Sequence, residues 1–267
     1  MKLVRTVADL RASLAGALCS QHSIGLVPTM GAFHDGHLAL IRAARAENEL
    51  VVVSIFVNPT QFGPSEDLAR YPRDEARDGA LADAAGVDLL YLPAPDEVYP
   101  DGFDTWVEPG ALAGILEGAA RPGHFRGVAT VCTKLFGMTR PTRAYFGRKD
   151  AQQLAVIRRV VADLDLDVEI RPVETVRDAD GLALSSRNVY LSAAERSLAL
   201  ALPRALQAGA AAHAAGEDPE AAARAVLRGE PGLEIDYVAV ADLDGPTLAA
   251  AVRVGETRLI DNVRLVG

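Results

Sequence analysis

Two histidines three residues apart, His34 and His37, lie in the stretch VPTMGAFHDGHLALIRAA, residues 27–44, between a strand-like apolar run and a run of helical periodicity. The first-turn N–H groups of a helix lack intrahelical acceptors, so such a position offers an anion site. Gly31 and Gly36 would let the backbone approach a ligand closely. Imidazoles at this spacing can face one bound group, donate to phosphate oxygens and stabilise the charge that builds when phosphorus is attacked. Two plainer arrangements use the same residues. One histidine caps the helix while the other packs, or the pair belongs to a zinc site, for which no third ligand stands at metal-motif spacing.

Farther along, GRKD at 147–150 ends one apolar run and opens a helical one. Lys149 can neutralise phosphate charge there as a compact, mobile cation, and Asp150 can accept from ribose hydroxyls. The segment LSSRN supplies Ser185, Ser186 and Arg187, two hydroxyls and a fork of donors suited to phosphate oxygens. Lys and Asp at a helix start are equally at home on a solvated surface. Gln61 and Gln153 are uncharged amides that follow the second and fourth apolar runs; elsewhere such glutamines are surface residues.

The elements that must position these side chains are legible as alternation. Apolar runs of strand length recur at 24–27, 51–57, 87–92, 144–146 and 168–173, separated by helix-period segments at about 36–48, 74–85, 127–139 and 151–163. This order predicts an α/β fold, a Rossmann-like doubly wound parallel sheet whose ligands sit beyond the carboxyl ends of the strands. The chemically suggestive segments all fall at those ends, which predicts that they converge on one cleft. Beyond 175 the texture changes. LSAAERSLALALPRALQAGAAAHAAG reads as helix, with Ser192 as N-cap and Glu195 completing a capping box; PEAAARAVLRG reads as a second helix, and LEIDYVAVAD and TRLIDNVRL as strands. The division predicted is 1–175 for a Rossmann-like ligand-binding domain and 176–267 for a smaller C-terminal α+β lid domain.

A chain of 267 residues accommodates such a pair of domains. With 49% hydrophobic residues and no apolar run near the ~20 needed to cross a bilayer, it reads as soluble. The N-terminal MKLVRTVADLRASLAG lacks the layout of a secretory signal, and a cytoplasmic location is expected. Cys19 and Cys132 are too few for a disulfide framework, and Cys132 in ATVCTKLFG suits a helix core. A net charge of −9 without a Lys/Arg run argues against nucleic acid as partner, although local cations in a cleft can still hold anionic small molecules.

The stretch PTMGAFHDGH resembles the His-x-Gly-His nucleotidylyltransferases. FVNPTQFGPSEDLARYPR, LEGAARPGHFRGVATVCTKLF, YFGRKDAQQLAVIRR and DGLALSSRNVYLS, in that order and spacing, narrow the resemblance to the pantothenate synthetase family. The resemblance implies condensation of pantoate with β-alanine through a pantoyl adenylate. It assigns Pro28, Met30, Asn58, Gln61 and Gln153 to pantoate, where neutral donors fix the acid without quenching its nucleophilic oxygen. It assigns Met30, His37, Gly147, Lys149, Asp150, Val176, Leu184, Ser185, Ser186 and Arg187 to ATP, with His34, His37, Lys149 and the Ser-Ser-Arg segment as catalytic groups. Mg²⁺ is implied as the companion of ATP, with Asp78 as its carboxylate, and Asp74 or Glu75 as substitutes. Glu117 and Arg121 match a flexible region that closes over the site, and a homodimer is implied. The chain departs from the family pattern at Phe33, Asp35, Arg148 and Leu184, none of which is a reacting group.

Two other functional classes share part of this pattern. A plain adenylyltransferase that leaves AMP on its product would share the histidine segment but not LEGAARPGHFRG or the C-terminal domain. A non-catalytic nucleotide-binding protein would bind ATP without releasing pyrophosphate.

Overall fold

The computed structural model describes residues 1–64 and 66–266. It divides into two compact units, one of residues 1–147 and 156–173, the other of 148–155 and 174–267.

The first unit is built on β1 (Lys2–Val4), α1 (Val7–Cys19), β2 (Ile24–Thr29), α2 (Asp35–Glu47), β3 (Leu50–Ile55), α3 (Glu75–Ala84), β4 (Leu89–Tyr91), α4 (Pro95–Val98), α5 (Leu116–Ala120), α6 (His124–Thr139) and β5 (Arg143–Gly147). Helix α7 (Ala151–Asp163) then leads to β6 (Glu169–Val173). The six strands form one parallel sheet in the order β1-β4-β3-β2-β5-β6. Its centre is β-branched and dry: Val51, Val52 and Val53 are fully buried, as expected where helices cover both faces. Leu26 pairs with Val52 on one side and Ala144 on the other, so the order of winding reverses between β2 and β5. The carboxyl ends at such a reversal form the binding crevice of open α/β sheets.

The doubly wound α/β reading of the sequence is therefore correct, and each of the five anticipated strands forms. The edge strand β1 and helix α1 were not anticipated. Lys2–Val4 is too short for periodicity to register, and it pairs with β4 only through the register Lys2 to Leu89, Leu3 to Leu90 and Val4 to Tyr91.

The second unit adds α8 (Ala193–Ala199), α9 (Ala201–Ala214), α10 (Pro219–Arg228), β7 (Leu233–Asp242), β8 (Pro246–Val254) and β9 (Thr257–Arg264). The strands make an antiparallel sheet in the order β7-β8-β9. Its core joins Leu202, Leu206 and Leu227 of the helices to Val238, Leu248 and Val252 of the sheet. The Ser192–Glu195 capping box forms as the sequence predicts. The helix that follows breaks at Leu200, because Pro203 has no N–H to give the preceding turn and fits only the first turn of a new helix. The middle strand β8 was missed: TLAAAV has no polar alternation because its residues 247–252 are all buried.

Candidate active site

Strand β2 runs out at Thr29 into a turn whose four amides all donate to side chains. Gly31 N donates to Thr29 Oγ1 at 3.2 Å, Ala32 N to Asp78 Oδ2 at 2.7 Å, Phe33 N to Asp78 Oδ1 at 2.8 Å, and His34 N to His37 Nδ1 at 3.3 Å. His34 then caps α2, its Nδ1 accepting from Gly36 N at 3.1 Å. The two rings lie 4.2 Å apart between centroids.

Two consequences follow. Each Nδ1 accepts a backbone hydrogen, so each neutral ring carries its proton on Nε2. The amides of Gly36 and His37 are also spent, on the His34 side chain and carbonyl. Of the two kinds of anion donor the sequence suggested here, the imidazole Nε2–H groups remain on offer, whereas the amides of Gly36 and His37 are engaged. Capping and chemistry fall to the same pair of rings.

After β3, the 3₁₀ turn Pro59–Gln61 carries a chain of amides. Asn58 Oδ1 accepts from Thr60 N at 3.3 Å, from Thr60 Oγ1 at 2.9 Å and from Tyr99 Oη at 2.9 Å. Its Nδ2 donates to the carbonyl of Gly127 at 3.2 Å and to Gln61 Oε1 at 3.0 Å. A backbone N–H can only donate and a carbonyl can only accept, so the polarity of Asn58 is fixed at both ends. Gln61 inherits it and turns Nε2 outward, toward Met30 Sδ at 3.3 Å. Met30, Asn58 and Gln61 are thereby brought together, with Pro28 at the end of β2 paired in register with Ser54. Met30 and Gly31 also border a cavity of about 490 Å³ with Ile55, Phe56, Val57 and Leu92.

Helix α6 seats this turn. A Cβ on Gly127 would lie 2.5 Å from the carbonyl oxygen of Thr60 and 2.7 Å from Gln61 N, so only glycine admits the approach. His124 Nδ1 donates to Gln61 O at 2.9 Å, and Arg121 Nη1 lies 3.2 Å from His124 Nε2. Burial first, then the neighbouring Arg121 charge, push the His124 pKa down to about 4. Arg121 also pairs with Glu66 at 2.7 Å and faces buried Glu117 at 3.8 Å. Burial works to raise the Glu66 pKa, but the hydrogen bonds and charge of Arg121 win and hold it below the ordinary carboxylate range. Glu117 and Arg121 thus belong to a network beneath Gln61. His124 and Gly127 were missed as contributors: Gly137 in the same helix has open space where a Cβ would stand, so a helical glycine does not by itself announce a close approach.

The second unit carries the remaining phosphate-binding candidates, Lys149 and the Ser185–Arg187 segment. Lys149 stands in the 3₁₀ turn Arg148–Asp150, 3.6 Å from Asp150 Oδ1. Asn262 Nδ2 on β9 donates to the carbonyls of both Arg148 and Lys149 at 2.9 Å. Arg148, which departs from the family pattern, pairs with Glu174 at 2.8 Å and Asp244 at 3.4 Å, so its charge is locally answered. Val176 and Leu184 meet through Leu184 N to Val176 O at 3.0 Å. This irregular hairpin delivers Ser185 as cap of the turn Ser186–Tyr190, its Oγ accepting from Arg187 N at 3.3 Å. Arg177 at the hairpin base makes a fork onto buried Asp261, at 2.6 and 3.0 Å. Gln153 lies on α7, partly exposed beside buried Gln152, and Gly147 closes β5.

Among the described residues no group of three or more His, Cys, Asp or Glu side chains could hold a metal ion, which also removes the zinc alternative for His34 and His37. Asp78, read from resemblance as the magnesium carboxylate, is 1% exposed and has both oxygens on backbone amides. Asp74 caps α3, accepting from Arg77 N at 3.0 Å, and Glu75 pairs with Arg5. These donors do not fit a protein-built magnesium site.

An open parallel sheet with paired histidines opening the helix after a central strand, and oriented amides after the next, defines an α/β enzyme that works on phosphate-bearing substrates. Family comparison specifies it. The chain belongs to the pantoate-beta-alanine ligase family, whose model matches residues 2–264. It is 56% identical over 276 residues to the pantothenate synthetase of Roseiflexus sp. (strain RS-1), covering 98% of each chain. It is 53% identical over 279 residues to that of Moorella thermoacetica, covering 99% of each. A crystal structure of pantothenate synthetase from Thermus thermophilus superposes with a TM-score of 0.95 at 49% identity over the whole of both chains. The pantoate-beta-alanine ligase of Francisella tularensis, solved with beta-gamma ATP and beta-alanine, gives 0.85 at 34% identity, covering 100% of this chain and 99% of that one. Among the described residues no helix is long and apolar enough to cross a membrane.

Proposed function

We infer that the protein condenses pantoate with β-alanine at the expense of ATP. The observation that carries this reading is the amide chain ending on Gln61 Nε2, a neutral donor of fixed polarity in a chain matched end to end by a ligase family. Such a donor binds a hydroxy acid through its hydroxyl and carboxylate while leaving the acid oxygen nucleophilic. Pro28, Met30, Gln61 and Gln153 take pantoate, and Asn58, whose amide hydrogens are engaged on Gly127 O and Gln61 Oε1, contributes to that site by orienting Gln61. Gly147, Asp150, Val176 and Leu184 take the ribose and adenine, and His34, His37, Lys149, Ser185, Ser186 and Arg187 take the phosphates. The relative solved with beta-gamma ATP and beta-alanine supports both as co-substrates.

In the first step a pantoate carboxylate oxygen attacks the α-phosphorus, and the bond from that phosphorus to the bridging oxygen breaks to release pyrophosphate. Nε2–H of His34 and His37 and the ammonium of Lys149 answer the charge on the phosphoryl oxygens, and no side chain forms a covalent bond. In the second step the amine of β-alanine attacks the acyl carbon, AMP leaves with the acyl–oxygen bond pair, and the amine proton passes to solvent. Only the unprotonated amine reacts, so the second step accelerates as pH rises. Mg²⁺ would come as the companion of ATP and would offset phosphate charge; the described residues build no site of their own for it. Residues 1–175 form the ATP- and pantoate-binding domain and 176–267 a lid; the protein works as a cytoplasmic homodimer.

The test is exchange of labelled pyrophosphate into ATP with pantoate present and β-alanine absent. Exchange that requires pantoate supports the acyl-adenylate step. Absence of exchange in protein that still binds ATP rejects it in favour of a plain adenylyl acceptor.

A further inference from the structure

The turn between β2 and α2 is held from α3 by the side chain of Asp78. Gly31 and Ala32 both adopt left-handed backbone, with φ of +81° and +53°. Glycine takes that conformation readily, whereas alanine does so only under strain. Gly31 N donates to Thr29 Oγ1 within the turn, and the next two amides, those of Ala32 and Phe33, each donate to one oxygen of the Asp78 carboxylate. Hydrogen bonds to an ionised acceptor are the strong kind, and these are shielded from water by a residue only 1% exposed. The fit is close: a Cβ on Gly31 would come within 2.9 Å of Asp78 Oδ2. Asp78 is itself fixed by the first turn of α3, its N donating to Asp74 O at 2.9 Å. The next residue in the chain after Phe33 is His34, the cap of α2.

We infer that Asp78 is a positioning residue, not a magnesium ligand: its carboxylate holds the Gly31–Phe33 turn in left-handed geometry and thereby sets the two imidazoles of His34 and His37. The inference rests on the reading of these rings as phosphate-facing groups. Asparagine at 78 keeps the shape but can accept from only one of the two amides, and it sets an NH₂ against the other.

The experiment is the pantoate-dependent exchange reaction, with Mg²⁺ titrated at fixed ATP, on wild type, Asp78→Asn, Ala32→Gly and the double variant. Asp78→Asn lowers the maximal exchange rate roughly ten- to hundredfold, with half-saturating Mg²⁺ and pantoate each within about twofold of wild type. Ala32→Gly placed in Asp78→Asn recovers at least about threefold of that rate, because glycine holds the turn without strain. An unchanged rate, or a loss that excess Mg²⁺ repairs, overturns the inference. Amide hydrogen exchange at residues 31–34 reads the same role without turnover. Accelerated exchange confined to that turn in Asp78→Asn supports the inference, and unaltered protection overturns it. Wild type that fails the pyrophosphate reaction rejects the ligase reading, and amide exchange then decides the role of Asp78 alone.

Discussion

Asp261 and Asn262, adjacent on β9, hold two different segments. The carboxylate of Asp261 grips Arg177 at the base of the Ser185–Arg187 hairpin, while the side-chain amide of Asn262 binds the carbonyls of Arg148 and Lys149. Asn262→Leu removes the donor at similar size and frees the Lys149 turn. The expected result is a drop in kcat/KM for ATP of roughly tenfold with the pantoate KM unchanged. Steady-state kinetics with each substrate varied in turn checks it, and equal changes for both substrates would count against a local role.

Lys149→Ala and His37→Ala each remove a donor aimed at developing phosphoryl charge. Turnover is expected to fall by about two to three powers of ten, or roughly 3–4 kcal/mol of barrier. A folded variant with near-native turnover removes that residue from the mechanism.

His124 makes the protein acid-sensitive. Its pKa is near 4 in the folded chain against 6.5 unfolded, so between those values the unfolded state binds the extra proton. Stability therefore rises with pH through this window, and above 6.5 the group contributes no slope. From pH 6.5 down to pH 5 the loss is about 2 kcal/mol, at ~1.36 kcal/mol per unit. His124→Asn keeps a donor for the Gln61 carbonyl without a titrating ring. Urea melts at both pH values are expected to show a shallower dependence in the variant; parallel slopes would place the titration elsewhere.

Gly127→Ala drives a methyl group into the carbonyl of Thr60, so the turn carrying Gln61 must lift from α6. Overpacking of this kind costs roughly 1–3 kcal/mol, and the displaced amide raises the pantoate KM more than the ATP KM. Melting temperature and the two KM values read these effects separately.

Cys132 is 4% exposed and burial pushes its thiol up to about 12, whereas Cys19 is exposed. Native protein should titrate one thiol with a chromogenic disulfide, and denatured protein two. Two fast thiols in native protein would mean that α6 opens.

The alternation of strand and helix was legible because each element has enough residues for its period to register and because turn-forming residues separate the elements. Lys2–Val4 offered three residues and β8 offered alanines, so neither showed a pattern; the pairing partners that make them strands lie far along the chain. Local signals place His34, Lys149, Gln61 and Ser185 after the end of a strand or hairpin, and the structure has them there. What supports them was not local. Asp78 reaches back 46 residues to Ala32, and Asn262 reaches 113 to Lys149, distances at which spacing carries no information. Asp78 is assigned to magnesium by resemblance alone, with Asp74 or Glu75 as substitutes, and its sequence neighbourhood gives no sign of the backbone amides it holds.

The double duty of His34 separates two kinds of selection. Its capping half is replaceable, since Asn, Asp or Ser at a helix start accepts the same backbone hydrogen. Its Nε2 proton has no counterpart at that reach in any of those residues. A library scored only for abundance should therefore drift freely at position 34, whereas one scored for growth that depends on condensing pantoate with β-alanine should return histidine alone.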